Sequence, residues 1–548
     1  MTKKSKISDF AQLRRAGVIG ALLTAGVSAP VMAGVDADRA AIPRNFDAQI
    51  MSSTDVYLTW QDVSSDETNF KIERRDNGGN WLAIGSPPAN STRWRNNQLQ
   101  PGTSYEYRIS AVRPSGVALP TAVRSVRTPA AGATTVFFVD ALNGDNINPG
   151  TEARPWKTIQ KAADSLAPGQ TVLVRATAPY LNPNYYALVS ITKSGTAAGW
   201  ITYKNYPGER PILRSTYDKN YHGFEIKSAS YIVIDGFEVA GHLADIAPAV
   251  AQAENDWAKA NPTRYVGPKV DSNGISVSNG GVTPHHITIR NNLVHDHPGG
   301  GIAANGSDWV TIENNRIFNT SWYSPYGTTG ISYLVSKDVD TNTTNYKQII
   351  RNNTVHDAKN LFPCKCYSFR QQTDGNGIII DSLTSSAYKG KTLVTNNIIF
   401  NNGGRGIHIF KSGNTDVTFN TASRNGTIAI TAEGEISVIE ASNVRVFDNI
   451  MVASADRPLN AVRSATGVNF SYNIGFGGNG FTSTGGTGNR LNTDPKFAPG
   501  SGINAFSLQS TSPAVDTAAG GVMPVANDVF LAPRPRGLKA DVGAVESF

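Results

Sequence analysis

The 548-residue chain is too long for one ordinary hydrophobic core, and 52 glycines with only 17% charged residues point to a turn-rich β protein. Its formal charge of +7 sits largely at the front: residues 1–33 carry five basic side chains and one acid, and removing them leaves +3, too little to argue for a nucleic-acid partner. Beyond that leader no stretch is long and apolar enough to cross a membrane, and Cys364 and Cys366 in FPCKCYSF are too few for a disulfide scaffold or a zinc site, which leaves a local disulfide.

Lys3, Lys4, Lys6, Arg14 and Arg15 precede the apolar run VIGALLTAGVSA, and Val31 and Ala33 are small residues ahead of Gly34. Residues 1–33 therefore read as a signal peptide, which predicts a secreted or periplasmic bacterial protein exported by the Sec route, with Arg14-Arg15 leaving twin-arginine export as the alternative. Residues 41–129 carry VYLTWQD, FKIERRD, WLAIG, YEYRISAV and VRSVRT at the spacing of a small β-sandwich. Trp60 fits its buried aromatic and Tyr105 its tyrosine corner. The segment resembles a fibronectin type III domain, which implies a spacer or a weak carbohydrate contact.

After the linker PAAGATT, residues 135–490 form the main body. Trp156, Ile159, Ala162, Ala163 and Leu166 recur at helical spacing, which predicts a short amphipathic helix before a first strand TVLVRA, laid over the open end of a solenoid. The solenoid itself is announced by a repeat. Short Val-, Ile- and Thr-rich strands end at Asn292, Asn315, Asn353, Asn397, Asn420, Asn449 and Asn473, with separations of 23, 38, 44, 23, 29 and 24 residues. A period near 23 leaves room for two or three strands and tight turns, so the predicted fold is all-β, a parallel β-helix with stacked corner asparagines. A second repeat, GISVSNG, GGIAANGS, GISYLVS, GIIIDS and GIHIFKS, predicts a neighbouring sheet. Residues 491–548 read as a C-terminal cap of irregular strands over the last coils.

The segments NPGT, PWKTIQKAAD, PGQTV and GWITYKNYPGERPIL resemble secreted right-handed β-helix polysaccharide lyases, especially family nine pectate lyases and more loosely the family six alginate and chondroitin lyases. That resemblance implies a pectin lyase-like solenoid, a lysine base and an acidic polysaccharide substrate, with calcium as the possible cofactor. Family six similarity extends to KSGNTDVTFNTA, which places Lys411 at the lysine. The chain departs from both patterns: no DDGWD-like aspartate cluster is present, and Gly404 and Gly406 stand where acidic metal ligands are expected.

A polymer groove is expected on one sheet beside the insertions at residues 243–271, 321–346 and 355–374. In TDGNGIIIDS and GGRGIHIFKS, strand alternation turns Ile378, Ile380, Ile407 and Ile409 inward and Ile379, Asp381, His408 and Phe410 outward. Lys411, His408 and Arg405 are the candidate catalytic residues, as base, base or acid, and carboxylate binder. Arg370, Asn305, Asp381 and Phe410 are candidate substrate contacts, and Asp374 and Asp381 candidate calcium ligands. Asp374 reads equally as an Asx turn into Gly375, and His295-Asp296-His297 as a corner turn, since Val355 to Asp357 repeats V-H-D. The expected activity is lyase cleavage of a uronate polymer by a monomer. A glycoside hydrolase, a uronate epimerase and a non-catalytic glycan-binding or adhesin-like protein are the alternatives.

Overall fold

The computed structural model describes residues 41–182, 186–428, 433–519 and 526–547, so the leader expected at 1–33 lies outside the described residues. Strands from Arg44–Ser52 to Arg124–Arg127 build two antiparallel sheets face to face. Trp60, 4% exposed, packs edge-on against Phe70, and the Tyr105 hydroxyl accepts the backbone N–H of Gln100 at 2.8 Å, the two devices expected of this sandwich.

From Val136 onward three parallel sheets wind together as a β-helix: sheet I has eleven strands, and sheets II and III have nine each. Each coil runs from sheet I through the asparagine turn into sheet II, crosses to sheet III, and returns. The solenoid starts one strand earlier than expected. Val136–Val139 pairs in parallel with Thr171–Val174, because FFVD alternates well enough to extend sheet I. Between them the helix Ile159–Ser165, capped by Thr158, buries Ile159, Ala162 and Ala163 against the core.

All seven corner asparagines stack. Asn315 donates Nδ2 to Asn353 Oδ1 at 3.1 Å, and its own Oδ1 accepts the backbone N–H and Nδ2 of Asn292 at 2.9 and 3.0 Å. The ladder runs on to Asn489, which accepts from Asn473. The residue before each ladder position (Asn291, Asn314, Asn352, Asn396, Phe419, Asp448, Tyr472) is left-handed, with φ between 53° and 58°, which turns the chain through the corner. The V-H-D repeat is a second such corner. Asp296, Asn319, Asp357 and Asn401 are left-handed, Asn319 donates to Asp296, and the outward rings of His295, Phe318, His356 and Phe400 stack with centroids 4.9, 5.2 and 4.7 Å apart.

The glycines of the GIS-type repeat are a requirement of packing. A Cβ on Gly274, Gly330 or Gly377 would lie 2.3, 2.4 or 2.2 Å from Val294 Cγ1, Val355 Cγ1 or Ile399 Cγ2, so only hydrogen fits where sheet II meets sheet III. Gly330→Ala is expected to destabilise the protein by about 1–3 kcal/mol through overpacking, read as a lower denaturation midpoint.

A shorter ladder, Asn402 to Asn425 at 2.8 Å, ends on Glu435, which accepts Asn425 Nδ2 at 2.6 Å. Burial pushes the Glu435 carboxyl up to about 8, so the folded chain holds this proton more tightly than the unfolded one. Its contribution to stability is complete below about pH 4.5 and is lost as pH rises through about 8. Glu435→Gln should remove that slope, which denaturant midpoints at acidic and alkaline pH would reveal.

Residues 491–519 and 526–547 lie along the outer face of sheet II. Leu508, Ala514, Ala540 and Val542 pack on Phe419, Ile450, Val452 and Ile474, while Phe506, Ala544 and Val545 pack on Ile398. Among its described residues the segment carries isolated bridges rather than a sheet of its own.

Candidate functional site

Sheet III has both edges built up. Residues 241–272, 321–330 and 357–377 join sheet II to sheet III and so rise at the N-terminal ends of its strands, while 335–345 and 382–390 leave the C-terminal ends. The insertion expected at 321–346 is thus two loops, because Ile331–Leu334 passes through sheet III between them. The first three insertions form one body. Ile246, Ala251, Ala258, Val266 and Val270 share a small core with Tyr323, Tyr326, Phe362 and Phe369, the Tyr326 hydroxyl accepts Val266 N–H at 2.8 Å, and Lys365 Nζ reaches Arg264 O at 2.7 Å. Cys364 and Cys366 close a disulfide within it. It also carries helix Pro248–Ala260, which sequence periodicity did not reveal.

The opposite edge is held by a buried ammonium. Lys347 Nζ lies 2.6, 2.9 and 3.0 Å from carboxylate oxygens of Asp308, Asp338 and Asp340. Tyr388 donates to Asp308 at 2.8 Å and the Trp309 indole to Asp340 at 2.6 Å. These carboxylates hold the lysine above its ordinary range despite burial, so it stays charged.

Between the edges the middle coils present small outward side chains, with Ser276, Ala303 and Ser332 in register. At the early-coil end Tyr186 stacks on Tyr221 at 4.8 Å, and His222 bonds Ser276 Oγ at 2.8 Å and the Tyr186 hydroxyl at 3.3 Å. Burial lowers His222 to about 4, so its imidazole is neutral near pH 7. Asp271 accepts Ser324 Oγ at 2.6 Å, and burial pushes its carboxyl up to about 7. Aromatic rings beside polar groups suit a sugar ring's apolar face and hydroxyls.

The residues singled out from sequence occupy the later coils. Asn305, Leu334, Asp381, Phe410, Ile439 and Arg463 form one row across sheet III, so three of the four expected substrate contacts share a line; Arg370 lies in the 357–377 insertion, exposed. Lys411 follows Phe410 with φ 44°, its side chain 43% exposed, its Nζ 4.9 Å from the Phe410 centroid and 3.7 Å from Glu440. His408 and Ile379 do point outward, yet both are 4% exposed. His408 bonds Ser437 Oγ at 2.6 Å, and burial, reinforced by Arg405 and Arg463, drives it far below the usual imidazole range.

Arg405 lies at the far end of the strand. The whole strand Ile407–Phe410 separates it from Lys411, roughly 10 Å or more, so the expected trio does not converge on one point. Its guanidinium pairs with Glu433 and donates to Thr373 O at 2.7 Å. Glu433 also takes Arg463, whose side chain is 61% exposed. Glu433 is thus shared by two guanidiniums, of which Arg463 reaches the surface. Arg463 was not singled out from sequence, because only the coil register aligns it with Phe410.

Asp374 and Asp381 stand at opposite ends of Ile378–Asp381. Asp374 is raised to about 6 by burial and is bonded by Thr373 and by Asn376 at 3.1 Å, while Asp381, also raised by burial, accepts Ser382 Oγ at 2.7 Å. Among the described residues the grouping of three metal donors is Cys364, Cys366 and Asp374, whose sulfurs are joined to each other. Neither arrangement suits a hard cation that wants six or more oxygens.

A three-sheet parallel coil with asparagine corners agrees with the family matches. Residues 137–329 match the Pel9A-like right-handed β-helix region. Residues 41–127 match the fibronectin type III domain. The Pel9A-like family includes polysaccharide-degrading enzymes. Among curated proteins, an α-amylase of Niallia circulans is 29% identical over 22% of this chain and 9% of its own length. The uncharacterized protein YwoF of Bacillus subtilis is 31% identical over 13% of this chain and 14% of its own. The chain thus spans a small part of these relatives' lengths. A lacto-N-biosidase structure of Eubacterium ramulus (GH136) aligns with 62% of this chain and 56% of its own at 13% identity and a TM-score of 0.35. The fn3 domain of human contactin 1 aligns with 17% of this chain and 79% of its own at 16% identity and a TM-score of 0.16.

Proposed function

We propose that the β-helix is a polysaccharide lyase that cleaves a uronate-containing polymer by β-elimination on the outer face of sheet III. The observation that carries this reading is the position of Lys411: of the three candidate catalysts it alone has its reactive nitrogen on the exposed surface, while Arg405 is paired and His408 is sealed. Arg463, whose guanidinium shares Glu433 with Arg405, offers an exposed cation for a uronate carboxylate elsewhere on the same face. In the reaction Lys411 Nζ takes the C5 proton. The C4–O4 bond breaks as C4=C5 forms, and O4 takes a proton from Asp381, whose burial raises its hold on one. Tyr186, Tyr221 and Asp271 would bind sugars further along the strip.

Incubation with pectate, alginate, glycosaminoglycan and neutral glycans tests this. Ultraviolet absorbance of unsaturated uronates should rise together with new reducing ends on one acidic polymer. Reducing ends without absorbance would mean hydrolysis, altered uronate composition without cleavage epimerisation, and retention without any change a binding protein; each would sink the lyase reading.

A further inference from the structure

A cleft of about 840 Å³ lies between the fibronectin-like domain, the asparagine corner of the early coils and the C-terminal segment. That volume falls within the range of roughly 300–1,000 Å³ typical of ligand sites. Because each coil passes from sheet I to sheet II at this corner, the cleft faces away from sheet III.

Much of its charge is already matched. The row Lys204, Asp235, Arg290, Glu313, Arg351 alternates in sign along sheet I, with Arg290 2.9 Å from Asp235 and Arg351 2.6 Å from Glu313. Asp47 of the fibronectin-like domain bonds Lys204 at 2.6 Å and fastens the two domains together. Glu209, a further acid of the lining, pairs with Arg175.

Four arginines that line the cleft, Arg44, Arg124, Arg210 and Arg316, have no carboxylate partner among the described residues. Arg124 spends its Nε on Phe46 O at 2.8 Å, which leaves Arg44, Arg210 and Arg316, from two domains; Arg316 rests over Phe318 and meets His356. We infer that this cleft is a second binding site for an acidic polysaccharide, holding uronate carboxylates on Arg44, Arg210 and Arg316 at the back of the solenoid. The inference takes from the proposed function only the class of polymer. A guanidinium matches a carboxylate in a paired, planar fashion, and amide side chains at the same corner (Asn291, Asn314, Asn352) suit sugar hydroxyls. Such a site would anchor a long chain while leaving sheet III free.

The test is affinity electrophoresis of the full chain through gels containing polygalacturonate, alginate or dextran, comparing the triple variant Arg44→Gln, Arg210→Gln, Arg316→Gln with its parent. Both are made in a Lys411→Ala background, and thermal melting checks their fold. Retention by at least one acidic polymer should weaken about tenfold in the triple variant and lose most of its salt dependence, with no dextran retention in either. In the cleaving background the same three changes should leave kcat on short oligomers unaltered. Equal retention of the two proteins, retention by dextran, absence of retention by every acidic polymer, or a matching loss of kcat on short oligomers would each overturn the inference. If no polymer is cleaved yet retention still falls in the triple variant, the lyase reading fails and the cleft stands.

Discussion

Lys411→Ala should lower the elimination rate by about 10²–10⁴-fold, the usual contribution of a positioned base, with little change in KM. The folded state should hardly notice. The side chain is 43% exposed and its partner Glu440 50% exposed, at 3.7 Å, a surface pair of small energetic weight. Lys411→Arg separates charge from basicity: it keeps a cation beside Asp381 and Phe410 but replaces the amine with a guanidinium, a far poorer proton acceptor, so it should be nearly as slow as alanine. Initial rates for both variants, with melting curves beside them, decide the matter. Wild-type rates in either variant would remove Lys411 from the mechanism, and an equal loss of stability would make its role structural.

Lys347→Met should be the most destabilising of these single changes, at about 3–5 kcal/mol, because it removes the one cation among three carboxylates while keeping much of the side chain's volume. Asp308 and the lysine side chain are fully buried, so water cannot replace the lost partner. Denaturant midpoints would show the loss, and proteolysis should cut first within 335–345, the loop that Asp338 and Asp340 hold down. A cost below about 1 kcal/mol would mean that the carboxylates find other partners or take up protons, which a midpoint regained at acid pH would reveal.

The architecture was legible in advance wherever one residue had to do the same job in every coil. Asn353 accepts from the coil before it and donates to the coil after it, so any other side chain would leave buried backbone groups unpaired; that necessity writes a period into the sequence. Gly330 and its equivalents repeat because Val355 and its equivalents fill the space a Cβ would need. The sandwich was readable through Trp60 and Tyr105 for a similar reason, each satisfying a local contact that its fold always presents.

The site was legible only in part. Strand alternation gave the outward direction of Asp381, His408 and Phe410, and the coil register aligns Asn305 with them. Alternation says nothing about what lies above a strand. His408 points outward and is still sealed, because Arg405 and Arg463 meet on Glu433 beside it and Ser437 occupies the next strand. Asp271 with Ser324, and Lys347 with Asp308, are pairs from different coils whose sequence spacing depends on insertion lengths, so no period announces them.

The order of residues was enough to set the solenoid, its corners and the sheet on which insertions gather, since these arise from short-range backbone needs repeated at fixed spacing. Packing in three dimensions was needed to settle which charges are free. Lys411 is exposed, Arg405 is spent on Glu433, and Arg44 and Arg210 stand unmatched across a domain boundary, because ion pairing depends on distances between residues that the chain places far apart.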